Sequence, residues 1–152
     1  MGNTPGETIM AGITRGAHAV WKGSGKDGAG ALTTDSGVLT NTAYSFAKRF
    51  ADEKGTNPEE LVAAAHAGCF AMALSFALGA AGFTPTSLDA TAKVTIAPVE
   101  GGFAISGSAL TLKAAVPGIS HDQFGTIVEG AKTGCPISKV LACPITLEWE
   151  LS

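Results

Sequence analysis

The spacing of hydrophobic and polar positions changes several times along the chain, and each change marks an element. Between Gly16 and Gly23 the run His18-Ala19-Val20-Trp21 is β-like and is closed by Gly23-Ser24-Gly25. Gly30 to Thr34 and Val38 to Phe46 are further β-like runs, parted by Asp35-Ser36-Gly37. The period then becomes helical. In Gly55-Thr56-Asn57-Pro58-Glu59-Glu60, Asn57 can cap, Pro58 suits the first helical position and Glu60 completes a capping box. Both glutamates stand where the helix dipole favours negative charge. This helix is predicted to run to Gly82, where glycine supplies a stop and Pro85 prevents resumption.

Beyond it the period returns to two. Ser87 to Ala97 alternates through Leu88, Ala90, Ala92, Val94 and Ile96, and Gly102 to Val116 alternates less cleanly around Ala109-Leu110-Thr111-Leu112. Pro98 to Gly101 reads as the hairpin loop between them. Ser120 with Gln123 caps a helix ending near Gly134, and Pro136 opens a short one through Leu141. Ile145, Leu147, Trp149 and Leu151 give a terminal strand whose solvated side carries Glu148 and Glu150. The predicted order is β-β-β-α-β-β-α-α-β, an α+β rather than an alternating α/β arrangement.

Composition narrows the function classes. The chain of 152 residues suits one domain with a real core, residues 1-152. The net charge of -3 and the scattered basic residues, with no basic stripe, speak against a nucleic-acid partner. Met1 to Thr14 lacks a basic region leading into an apolar run, and Gly6 stands where myristoylation wants Ser or Thr. Three cysteines without an export signal favour a reducing, cytoplasmic compartment. Leu61 to Phe83 carries no Asp, Glu, Lys or Arg and has the length of a membrane span. It is mostly Ala and Gly, holds His66 and lacks a basic flank at its end, so a buried core helix of a soluble protein, with no membrane partner, is the expectation.

The cysteines are the candidate chemistry. Helical spacing puts Cys69 on a face with Val62, Ala65, His66, Met72, Ala73 and Phe76. A buried structural thiol is the plainer reading of such a setting. Gly134-Cys135-Pro136 places a second thiol at a helix cap, where backbone N–H groups and the dipole stabilise a thiolate and improve it as a leaving group. Together the two suggest a redox pair, in which one thiol becomes a sulfenic acid and the other condenses with it. His66 with the cysteines and His121 could contribute to a zinc site, but no paired C-x-x-C knuckle is present, so a satisfied core histidine and no metal are expected. Cys143 reads as a bystander at a strand entrance. Phosphate loops, dinucleotide fingerprints and nucleophile elbows are missing from the sequence.

These stretches resemble the OsmC/Ohr family. The likeness lies in Tyr44-Ser45-Phe46 with Arg49-Phe50, in Gly55 to Leu61, in Ala64-Ala65-His66-Ala67-Gly68-Cys69-Phe70, in Ala81 to Pro85 and in Ala131 to Ser138 around Cys135. It covers the chain from about Trp21, leaving residues of about 1-14 as an N-terminal extension. The resemblance implies an intertwined homodimer with curved antiparallel sheets around central helices and active sites at the dimer interface. It implies reduction of organic hydroperoxides, and of hydrogen peroxide to varying degrees, without metal or cofactor, at the expense of a dithiol such as a lipoylated protein. Matching motifs make Cys69 the peroxidatic thiol, Cys135 the resolving one, Arg49 the cation that stabilises the thiolate and Glu59 the carboxylate that orients it. Arg49, just before Gly-Thr-Asn-Pro-Glu, favours the OsmC branch, since Arg15 does not sit in the Gly-rich early loop expected of the Ohr branch.

A mid-helix thiol such as Cys69 lacks dipole assistance, so a nearby cation is what could ionise it at neutral pH. An arginine stays charged and can fork to sulfur and carboxylate together. One difficulty follows. Glu59 and Cys69 are ten residues apart, about 15 Å along a straight helix. Either the helix breaks near Gly68 or the site draws on two subunits, and interface active sites favour the second. The competing function is a non-catalytic small-molecule or lipid-binding dimer on the same fold, with a zinc-dependent hydrolase a distant third.

Overall fold

The computed structural model describes residues 12–152, so residues 1–11 of the N-terminal extension lie outside it. The chain has two compact units, one ending at Thr56 and one spanning Asn57–Ser152.

The first unit is a meander of three antiparallel strands, β1 (Ala17–Lys22), β2 (Ala29–Thr34) and β3 (Thr42–Tyr44). Trp21 and Tyr44 cross the sheet on Gly30, their ring centroids 5.3 Å apart. A Cβ at Gly30 would collide with both rings, so the close approach requires glycine there. The β-like run expected over Val38 to Phe46 is a strand only at its middle. Its start is a turn: the Leu39 N–H donates to the Thr34 hydroxyl at 3.1 Å, the Asn41 N–H to the Thr33 hydroxyl at 3.0 Å, and Asn41 takes a positive φ of 47°.

Its end is an unpredicted helix, α1 (Phe46–Phe50), which makes the order β-β-β-α-α-β-β-α-α-β. The Ser45 hydroxyl caps it by accepting from the Lys48 N–H at 3.2 Å, and the Phe46 and Phe50 rings stack one turn apart at 5.0 Å. Five residues are too few to show a helical period, so this cap was the only available signal.

The second unit is a three-stranded sheet, order β4-β5-β6, packed against helices. Strands β4 (Ser87–Val99) and β5 (Gly102–Ala115) form a long antiparallel hairpin with a register shift at Thr95/Ile96. Helices α3 (His121–Gly134) and α4 (Pro136–Val140) then carry the chain back across the unit. Strand β6 (Ile145–Leu151) therefore pairs with β5 in parallel, making this sheet mixed rather than wholly antiparallel. Alternation sorts its two faces. Ser108, Leu110, Leu112 and Ala114 of β5 point inward, and Glu148 and Glu150 of β6 stay in solvent.

Helix α2 (Pro58–Ala80) starts and stops as its sequence dictates. The Asn57 side chain accepts from the Glu60 N–H at 2.8 Å, and Gly82 takes a φ of 91° just past the end. His66, Phe70, Leu74 and Leu78 recur every fourth residue and form its buried stripe, and the helix packs on β4, α3 and α4. The expectation of a buried core helix needs correction. Its length and composition would suit a membrane span, yet only 22% of its apolar window is buried, with Met72 64% and Phe76 74% exposed. One stripe faces the core and the opposite side of this apolar helix faces outward.

Candidate active site

Helix α2 presents Cys69 at the edge of its buried stripe, partly exposed, one turn beyond the fully buried His66. The face that spacing assigned to Cys69 is thus split. His66 lies in the core, while Met72 and Phe76 lie outside it. The helix continues without interruption through Gly68, which removes a break there as a way of bringing Glu59 to Cys69. Glu59, in the first turn, is 8% exposed.

Cys135 occupies the junction of α3 and α4, ending one and opening the other. Its N–H closes α3 on the Ala131 carbonyl at 3.0 Å and its carbonyl accepts from the Lys139 N–H at 3.1 Å. The side chain is fully buried in the core cluster with Phe70, Phe124 and Val128, with Cys69 packed against that cluster. The sulfur makes no cap hydrogen bond of good linear geometry, but the Ile137 and Ser138 N–H groups are close enough to act on it.

The two thiols interact directly, and their proton affinities diverge. Burial pushes the Cys69 thiol up, and its S–H donation towards Cys135 adds to the effect. For Cys135 burial also acts upward, but the Cys69 S–H, the backbone N–H groups of Ser138 and Ile137, and the Ser138 hydroxyl outweigh it and hold this thiol below its ordinary value. The N–H groups at the α3–α4 junction thus add to the effect of the Cys69 S–H in holding Cys135 down, while nothing in the second unit overcomes the burial of Cys69.

Sequence reasoning treated His66 as a satisfied core histidine, and it is one. Its Nδ1 meets the Ser108 hydroxyl at 2.6 Å and its Nε2 the Ser138 hydroxyl at 2.8 Å. Burial lowers its pKa, favouring the neutral ring. Ser108 and Ser138 were missed as site neighbours. The only signal for Ser138 was its place in Cys135-Pro136-Ile137-Ser138, in the first turn of α4. Cys143 stands before β6 and shares a surface hollow with Lys132, Thr133, Ser138 and Ile145. Among the described residues no group of three or more His, Cys, Asp and Glu is placed to hold a metal. Arg49 belongs to the first unit, in α1, with its guanidinium carbon 5.1 Å from the Phe50 ring centroid.

The α+β scaffold thus sets a partly exposed thiol, Cys69, beside a buried one, Cys135. The profile of the family described as OsmC-like protein matches residues 51–150, and the chain belongs to that family. It is 53% identical over 139 residues to the peroxiredoxin OsmC of Escherichia coli, an alignment covering 91% of this chain and 97% of that one. It is 32% identical over 123 residues to the organic hydroperoxide resistance protein of Xanthomonas axonopodis pv. citri, covering 80% and 83% of the two chains. Among solved structures it resembles an organic hydroperoxide resistance protein from Elizabethkingia anophelis, with a TM-score of 0.72 and 28% identity over 95% of this chain and 100% of that one.

Proposed function

We propose that this chain is a thiol peroxidase that reduces organic hydroperoxides, and hydrogen peroxide to some degree, through a Cys69–Cys135 disulfide. The observation that carries the reading is the direct contact of a partly exposed Cys69 with a buried Cys135. The names of the relatives, a peroxiredoxin and a hydroperoxide resistance protein, support the reaction class. A non-catalytic binding dimer would have no use for an acidified thiol beside a second one.

The Cys69 thiolate attacks one peroxide oxygen, the O–O bond breaks, and the alkoxide takes a proton and leaves as alcohol. Cys69 becomes a sulfenic acid. The Cys135 thiolate then attacks the Cys69 sulfur, the S–O bond breaks, and the departing hydroxide takes up the proton lost by Cys135 as water. A dithiol, such as a lipoylated protein, restores both thiols by exchange. By their motifs Arg49 is the cation that stabilises the Cys69 thiolate and Glu59 the carboxylate that orients it. The chain works as a homodimer in the cytoplasm; the outward apolar face of α2 with Met72 and Phe76 supports the self-association alone.

The acidity of Cys135 favours a second reading with the roles exchanged. Access argues against it, because Cys135 is 0% exposed and peroxide must reach the attacking sulfur. The two differ in the single-cysteine variants. Cys135→Ser is expected to consume one equivalent of alkyl hydroperoxide and stall with sulfenic acid on Cys69, which excess peroxide drives to sulfinic acid. Cys69→Ser is expected to consume none. Mass spectrometry of both after one equivalent decides, and sulfenic acid on Cys135 in Cys69→Ser would exchange the roles.

A further inference from the structure

His66 is a buried polar side chain that the peroxidase steps do not use. It stands one turn before Cys69 on α2, and its partner Ser138 stands one turn after Cys135 on α4. Its other partner, Ser108, is on β5 and is itself buried. One imidazole thus ties the two cysteine-bearing turns to each other and to the central strand. A neutral ring has one donor and one acceptor nitrogen, and each serine hydroxyl can serve as either. With the proton on Nε2, the ring donates to the Ser138 oxygen, and Ser108 donates to Nδ1. The Ser138 hydroxyl hydrogen is then free to turn to the Cys135 sulfur, one helical turn away, and so help hold that thiol below its ordinary value.

Stability alone does not account for this arrangement. Three polar side chains in the core at best offset their own desolvation, and apolar residues of the same volume would serve as well. The cluster is not remote from the chemistry, for it abuts the place where the S–S bond would form.

We propose that His66 is a positioning residue for the disulfide step: through Ser138 it holds the α4 turn against the α2 turn and keeps the Ser138 hydroxyl on Cys135, so that the resolving thiol is aligned with the Cys69 sulfenic acid. The proposal rests on the two-cysteine reading above. In the step itself the Cys135 sulfur supplies the electron pair of the new S–S bond, the Cys69 S–O bond breaks, and the Cys135 proton and departing hydroxide leave as one water. The network transfers no electrons. It sets the distance and the hydrogen bonding of the attacking sulfur, and it has no contact with the peroxide step. In the reverse direction the same hydroxyl stabilises Cys135 as the leaving thiolate when the reducing dithiol attacks Cys69.

The test separates the two half-reactions in full-length protein. Stopped-flow measurement with cumene hydroperoxide gives the rate of Cys69 oxidation, and a sulfenic-acid trap with mass spectrometry gives the rate of disulfide closure. Ser138→Ala is expected to slow closure about tenfold, the loss of one hydrogen bond to a charged group, while oxidation stays within about twofold of wild type. Sulfinic acid on Cys69 rises accordingly. His66→Phe, which fills the ring volume and removes both bonds, slows closure at least as much, and Ser138→Thr, which keeps the hydroxyl, returns it to within about threefold of wild type. Ser138→Ala guards against a His66 variant that does not fold. Wild-type closure in Ser138→Ala, or equal slowing of both half-reactions in Ser138→Ala and Ser138→Thr, overturns the proposal. Failure of the wild type itself to form a Cys69–Cys135 disulfide is a different result and overturns the two-cysteine reading instead.

Discussion

The surroundings of two neighbouring thiols decide which of them ionises more readily. In the second unit, burial and donation to its neighbour push the Cys69 thiol up, while the Cys69 S–H and the N–H groups of the helix junction hold Cys135 below its ordinary value. That division suits a resolving thiol and a good leaving group at Cys135. It leaves the attacking thiol in need of a cation, the role assigned to Arg49. The reactive form is the thiolate, so anything that raises the Cys69 pKa lowers the rate at neutral pH and moves the rate profile to higher pH. Arg49→Ala is therefore expected to slow Cys69 oxidation about 10- to 100-fold at pH 7, with recovery as the pH rises towards the new thiol pKa. Arg49→Lys should recover only part of the loss, because an ammonium is a point charge and cannot fork. An unchanged pH–rate profile in Arg49→Ala would show that another group ionises Cys69.

At the scale of elements, helix α2 has two different sides. Its buried stripe is tightly packed, and Leu74→Ala is expected to cost about 2–5 kcal/mol in urea denaturation, a transfer loss plus a cavity. Phe76 is of comparable bulk but 74% exposed in the single chain, so Phe76→Ala removes little from this core. Its effect should fall on self-association, read by analytical ultracentrifugation as a shift towards monomer at low concentration. A loss of chain stability equal to that of Leu74→Ala, with association unchanged, would show that Phe76 is packed within its own chain. The strong signals of α2, namely the Asn57 cap, Pro58 and the Gly82 stop, are local and were legible in the sequence. The choice of outward face was not. An Ala- and Gly-rich helix is apolar all round, so its period does not say which side meets the sheet.

At the scale of the whole molecule, the unbroken course of α2 bears on how a site is assembled. Glu59 and Cys69 stand about 15 Å apart along it, beyond what one arginine side chain can bridge. With a helix break at Gly68 removed, we propose a composite site in a homodimer, with Glu59 from one subunit and Cys69 and Cys135 from the other. Glu59→Gln and Cys69→Ser are each expected to be inactive as homodimers. Co-refolded, they should regain activity, because half of the sites in a heterodimer then carry both groups intact. A heterodimer verified by native mass spectrometry that recovers nothing would sink the composite site.

What the sequence determined by itself was everything set over short range. Caps, glycine stops, prolines and the period of two fixed most elements of the second unit within a residue or two, and the Gly-Cys-Pro step placed Cys135 at a helix cap. Local backbone chemistry suffices for these, since capping and turn preferences depend on neighbours along the chain. Short or unusual elements escaped it. Helix α1 is too brief to have a period, and the turn at Val38 to Asn41 depends on hydrogen bonds from Thr33 and Thr34. Only the tertiary structure brought Cys69 to Cys135, sixty-six positions later, and put His66 between Ser108 and Ser138. Those contacts exist because α3 and α4 return across the sheet and lay β6 parallel to β5. A pairing between distant residues is decided by how elements pack, and no spacing in one sequence records it.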